Sequence, residues 1–151
     1  MTQTEIIQII TGFIGSLGFS VLFNIRGKRL IMAAIGGLLS WAMFLVFSRF
    51  INNEPINYFI VSLIISVYAE IMARLLKTPT TTFIAASLIP LIPGGSLYYT
   101  MAYAFEGDLQ SFAERAVDTL KLAAALALGI IVATTIAKFI SEINHKKHSE
   151  C

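Results

Sequence analysis

Charge is what this sequence has least of. Asp, Glu, Lys and Arg make up 13% of its 151 residues, about half the share of an ordinary soluble domain, and 56% of the chain is hydrophobic. The few charges gather at junctions between long uncharged runs, which excludes a water-soluble globule and predicts an all-α integral membrane protein. Cysteine is almost missing as well: Cys151 stands alone, so no internal disulfide can form. With two histidines, His145 and His148, both near the end, no His/Cys cluster has metal-ligand spacing. No metal and no cofactor are expected. The sequence also offers no nucleophile beside a base, no phosphate-cradling loop and no paired carboxylates, so an enzyme is not expected.

The net charge of +2 is small. His145-Lys146-Lys147-His148 reads as an anchor beside anionic headgroups, and a nucleic-acid partner is not expected. No Lys or Arg precedes the first apolar run, only Glu5, so that run lacks the basic start of a secretory signal and is expected to remain as a helix.

Crossing a hydrocarbon core takes about 20 residues of helix. Five segments approach that length: residues 6–23, 30–47, 56–76, 80–105 and 119–140, followed by a short tail over 141–151. No linker or low-complexity run divides them, so one transmembrane domain of about five helices, residues 1–151, is expected. Thr78-Pro79 offers an N-cap and a first-turn proline for the fourth helix, and the polar piece from Glu106 to Asp118 suggests a short surface helix over 108–115. Arg26, Lys28, Arg29, Arg74, Lys77, Lys138, Lys146 and Lys147, eight of the eleven basic residues, fall on one side of this arrangement. The positive-inside rule makes that side cytoplasmic, with the N-terminus outside and the C-terminus inside.

Small residues recur at packing intervals: Gly12, Ser16 and Ser20, then Ala33 and Gly37, then Ala125, Gly129, Ala133 and Ala137. Such stripes let helices approach closely in lipid, either within the chain or against a second subunit. Asn24 is placed to cap the first helix or to make an interfacial polar contact. Trp41, Tyr58, Tyr68 and Tyr103 read as interface or packing aromatics.

The fourth segment carries two of the four prolines and a glycine pair, in the string Pro90-Leu91-Ile92-Pro93-Gly94-Gly95-Ser96. The helix is expected to break near its middle there, freeing backbone amides and carbonyls. Non-helical backbone at membrane depth persists only where it is buried in protein or lines a wet cavity. Half-helix N-termini can receive a carboxylate, and freed carbonyls a cation. The expected substrate-binding region is therefore Pro90, Pro93, Gly94, Gly95 and Ser96, with Tyr98, Tyr99 and Thr100 shaping the cavity; a kink that serves packing alone is the other reading. Glu70 is the one acidic residue well inside an apolar run and is a proton-coupling candidate, although Arg74 one turn later offers it a structural partner.

Several of these pieces recur together in one family. Gly15-Ser16-Leu17-Gly18-Phe19 with Leu22-Phe23-Asn24, Gly36-Gly37 and Trp41, Tyr68-Ala69-Glu70 with Ala73-Arg74, Pro79, and above all Pro90-Leu91-Ile92-Pro93-Gly94-Gly95 give a chain that resembles the small membrane subunit of the split threonine/serine exporters, the ThrE-like second module. The resemblance runs through nearly the whole length. It implies export of small hydrophilic metabolites across the inner, cytoplasmic membrane, with threonine and serine as substrates or dicarboxylates such as succinate in split relatives. It also implies a partner, a larger exporter subunit carrying the complementary membrane module. In fused members that module comes first and carries an additional cytoplasmic portion. A tandem of two five-span modules places its halves in opposite orientations, and the second would begin outside, as the basic residues here predict. A non-transporting membrane scaffold and a homo-oligomeric channel are the alternatives.

Overall fold

A computed structural model describes residues 2–149, with the side chains of that range except residues 142 and 144–149. Six α-helices follow one another: α1 (Gln3–Leu22), α2 (Lys28–Phe47), α3 (Glu54–Leu75), α4 (Thr80–Leu88), α5 (Gly94–Glu106) and α6 (Leu109–Ser149). No strand occurs among the described residues. α1, α2, α3 and the apolar part of α6 are each long and apolar enough to cross a membrane, and α4 and α5 pass the same test only as a pair bent by 63°.

The turns explain where the helices stop. Asn24 takes a left-handed conformation, φ 56°, and the next amide, on Ile25, donates back to the Ser20 carbonyl at 2.9 Å, so Asn24 does terminate α1. Lys77, φ 49°, closes α3 in the same way, with the Thr78 amide on the Ala73 carbonyl at 2.9 Å. Thr78 is not the cap expected for the fourth segment. Its hydroxyl donates to the Leu76 carbonyl at 3.0 Å, and Pro79 is the cap residue of α4.

Neighbouring helices can be aligned from their contacts. α1 and α2 are antiparallel, joined at one end by Glu5 and Arg49 at 2.7 Å and farther along by Ser16 against Gly37. α2 and α3 are antiparallel too: the Asn57 amide donates to the Phe44 carbonyl at 3.2 Å and the Tyr68 hydroxyl to the Met32 carbonyl at 2.8 Å. α3 and α6, by contrast, run parallel, because Ser62 lies against Gly129 and Arg74 reaches the Ala137 carbonyl at 3.0 Å. Two parallel crossings require the chain to return between them. The bent α4–α5 pair makes that return, so four helices and, with this pair counted as one span, up to five segments are long and apolar enough to cross a membrane.

The expected surface helix over 108–115 does not exist as a separate element. α6 starts at Leu109 and continues without a break to Ser149, past the expected end at Ile140 and through the described part of the expected tail; Glu150 and Cys151 lie outside the described residues. Gln110, Glu114 and Arg115 propagate a helix as well as apolar residues do, and neither proline nor a glycine before Gly129 interrupts them. From the Ser62–Gly129 contact, α6 begins about 18 Å farther from the basic end than Glu54 does. Its first turns, with α5 alongside, project beyond the start of α3.

Candidate functional site

The interrupted span is built by proline chemistry. Pro90 and Pro93 have no amide hydrogen to give a carbonyl one turn back. Ile89–Leu91 tightens into a single 3-10 turn, Ile92 turns extended with ψ 124°, and the Gly94 amide donates to the Ile92 carbonyl at 2.6 Å. α5 then restarts at Gly94, its first regular bond running from the Leu97 amide to the Pro93 carbonyl at 3.0 Å. That leaves the amides of Gly95 and Ser96 in a first turn without intrahelical acceptors. A methyl group on Gly94 or Gly95 would meet no atom within 4 Å, so this backbone is open to approach.

The break is not midway through the membrane-crossing bundle. Leu91 packs with Tyr58, Val61 and Leu122, and a methyl on Gly12 would lie 3.6 Å from the Pro90 ring. Tyr58, Val61 and Gly12 place it about 6 to 13 Å from the end opposite the basic loops. A span's midpoint in sequence differs from its midpoint in depth because α5 bends away to follow the projecting start of α6.

Three hydroxyls meet where α5 faces α6. Ser96 Oγ lies 2.9 Å and Thr100 Oγ1 3.1 Å from Thr119 Oγ1. Thr100 donates its proton to the Ser96 carbonyl at 2.9 Å, and Thr119 donates to the Arg115 carbonyl at 2.8 Å. With those protons committed, Ser96 is the donor to Thr119, and Thr100 keeps lone pairs free to accept. Spare amide donors at Gly95 and Ser96 thus stand at the open break and can receive an anionic group, while the Thr100 hydroxyl lies buried against α6.

The residues expected around this site divide. Ser96 and Thr100, four apart on one face of α5, come together with Gly94 and Gly95 at the break, whereas Tyr98 and Tyr99 turn away, 69% and 56% exposed, with their rings edge to face at 5.5 Å. Thr119 was not among the expected residues. Its only signal in sequence is a hydroxyl at the point where the polar stretch gives way to the apolar run.

Glu70 lies elsewhere, about 18 Å along α3 from Tyr58 beside the break. Its Oε1 accepts from Arg74 Nη2 at 3.2 Å, and Arg74 also holds α6 through the Ala137 carbonyl. The carboxylate borders a groove of about 430 Å³ between α3, α4 and α6, shared with Thr80, Thr81, Thr134 and Lys138. On its other side is an apolar cavity of about 230 Å³ between α3 and α6, in which Glu70 and Arg74 are the charged lining residues. Among the described residues no three His, Cys, Asp or Glu side chains are grouped to hold a metal ion.

A family model described as "Threonine/Serine exporter, ThrE" matches residues 8–136. No curated protein and no solved structure matches the chain. The match takes in α2 to α5 whole, most of α1 and the part of α6 through Ile136, with the break before α5 and Glu70, and the chain belongs to the threonine/serine exporter ThrE family, a family of membrane transporters.

Proposed function

We propose that this chain is one subunit of a secondary exporter that moves small hydrophilic metabolites, threonine- and serine-like amino acids or dicarboxylates such as succinate, out across the cytoplasmic membrane. The observation that carries this reading is the break before α5, where the open amides of Gly95 and Ser96 adjoin the Ser96–Thr119–Thr100 hydroxyls. A carboxylate suits the amides at a helix start, and the acceptor on Thr100 suits an ammonium or hydroxyl in a state where α5 parts from α6. Exposed backbone in oil would be costly, so a wet cavity or a covering partner belongs there.

The basic end, with Arg26, Lys28, Arg29 and Lys77, faces the cytoplasm in this reading, and the N-terminus lies outside. The groove beside Glu70 forms the cytoplasmic part of the path, and Glu70 carries the coupling proton. A larger subunit with the complementary membrane module completes the machine. Two features support that partner: α5 packs principally against α6, and it leaves Tyr98, Tyr99, Met101 and Phe105 exposed.

Efflux of threonine, serine and succinate from vesicles with and without the larger subunit tests the assignment. Gly94→Leu fills the open approach to the amides and is expected to stop efflux while the complex still assembles; undiminished efflux would refute the site. Cysteines at Ser96, Tyr99 and Thr100 separate transport from a scaffold role. Substrate-protected labelling supports a path, and inert positions in every condition support a scaffold. Flux through this chain alone would favour the homo-oligomeric channel.

A further inference from the structure

At the basic end, the α1–α2 and α3–α4 loops meet around a pocket of about 370 Å³ lined by Phe23, Asn24, Arg26, Arg29, Thr78 and Thr82. Both arginines are oriented by the protein. Arg26 Nε donates to Asn24 Oδ1 at 3.0 Å, which fixes the guanidinium plane and, among the described residues, leaves both terminal nitrogens without a partner. Arg29 gives one hydrogen to the Leu76 carbonyl at 3.3 Å, tying the two loops together, and among the described residues its other hydrogens have no partner. A guanidinium carries five donors in a planar fork that matches phosphate oxygens two at a time. Thr82 adds a hydroxyl, whereas the Thr78 proton is committed to Leu76. Between residues 24–30 and 76–82 the sequence holds Arg26, Lys28, Arg29 and Lys77 and no Asp or Glu.

The pocket also has a greasy side. Leu22 and Phe23 are exposed directly beside it, at the end of a membrane-crossing helix where acyl chains meet headgroups. A freely soluble anion has no use for that surface; a phospholipid does. We propose that this pocket is a binding site for an anionic phospholipid, its phosphate held by Arg26, Arg29 and Thr82 and an acyl chain lying on Leu22 and Phe23.

Ordinary attraction of basic loops to an anionic leaflet makes a different forecast, which permits a clean test. Retention of phosphatidylglycerol against phosphatidylcholine is measured on the purified full chain by native mass spectrometry and by lipid-dependent thermal stability. Arg26→Lys keeps the charge and loses the fork. It is expected to weaken phosphatidylglycerol about tenfold, the loss of one or two charge-assisted bonds, while the double variant Lys28→Gln/Lys77→Gln, which removes two charges outside the pocket, weakens it less. Arg26→Lys binding like the unaltered chain while the lysine pair causes the larger loss would overturn the proposal, as would no preference for the anionic lipid. Inorganic phosphate displacing phosphatidylglycerol at comparable concentration would assign the phosphate chemistry to a soluble anion and overturn the lipid.

Discussion

Gly129 of α6 and Ser62 of α3 are packed so closely that a methyl group on the glycine would overlap the serine hydroxyl and come within 2.7 Å of the Phe59 carbonyl oxygen. The same device closes two other seams: Gly37 against Ser16 between α1 and α2, and Gly36 against Ser87 between α2 and α4. Lipid offers no hydrophobic force to press helices together, so close backbone contact supplies the attraction, with the serine hydroxyl satisfied at two of the three seams and Ser16 Oγ buried without a partner among the described residues. Ser62 donates to the Phe59 carbonyl at 3.0 Å, and Ser87 crosses to the Ala33 carbonyl at 3.4 Å. The small-residue stripes are met, in these three places, inside the chain.

Gly129→Ala should therefore destabilise the fold by about 1 to 3 kcal/mol, the range for overpacking a tight contact, because the Phe59 carbonyl is backbone and cannot step aside. Gly18→Ala makes the contrast. A methyl there meets nothing within 4 Å, and a helix gains roughly 0.5 to 1 kcal/mol when glycine becomes alanine. Reversible unfolding of both variants in the same micelles checks the opposite signs.

Thr119→Val removes the hydroxyl shared by Ser96 and Thr100 without changing the side chain's shape. Efflux is expected to fall roughly threefold to tenfold, the equivalent of one hydrogen bond, with Thr119→Ser close to the unaltered chain. Equal efflux from all three would show that the hydroxyl cluster serves packing only.

The start of α6 should respond to acid. The Ser111 hydroxyl and amide, at 2.6 and 3.1 Å, together with the Gln110 amide, hold the Asp108 carboxyl below its ordinary value of 3.8. A lowered folded value means that the ionised cap stabilises the helix above about pH 3.8 and that this support disappears as pH falls through the still lower folded value. Protection factors for amide exchange at residues 110–112 should fall in that window, and Asp108→Asn, which keeps an acceptor but has no proton to gain, should flatten the response.

How far the sequence reached depends on the range of the force involved. The first three helices and the interruption at Pro90 and Pro93 follow from apolar run length and proline's missing amide, both local. Asn24, just past the first apolar run, offered a cap as one of two readings, and the structure places it in the left-handed turn that ends α1. The extent of α6 was hidden because Glu106 to Asp118 is polar, and polarity alone does not distinguish a surface turn from a helix continuing beyond the bundle. Thr119 was hidden for a different reason: its pairing with Ser96 and Thr100 depends on α5 folding back along α6, a contact no periodicity records. The depth of the break, likewise, needed the alignment of Leu91 with Tyr58 and Leu122.

Glu70 allows the coupling proposal to be separated from the architecture. Glutamine at this position still offers Arg74 an oxygen at the present 3.2 Å, and Arg74 keeps its own bond to the Ala137 carbonyl, so the α3–α6 seam should survive Glu70→Gln. What glutamine cannot do is take up and release a proton. In vesicles holding the complete exporter, Glu70→Gln is expected to abolish efflux driven by a pH gradient while exchange of labelled for unlabelled substrate continues, since exchange needs no net proton movement. Loss of both activities would point to the structure of the groove instead. Gradient-driven efflux at the unaltered rate would remove Glu70 from the coupling path and leave its pair with Arg74 as a link between helices.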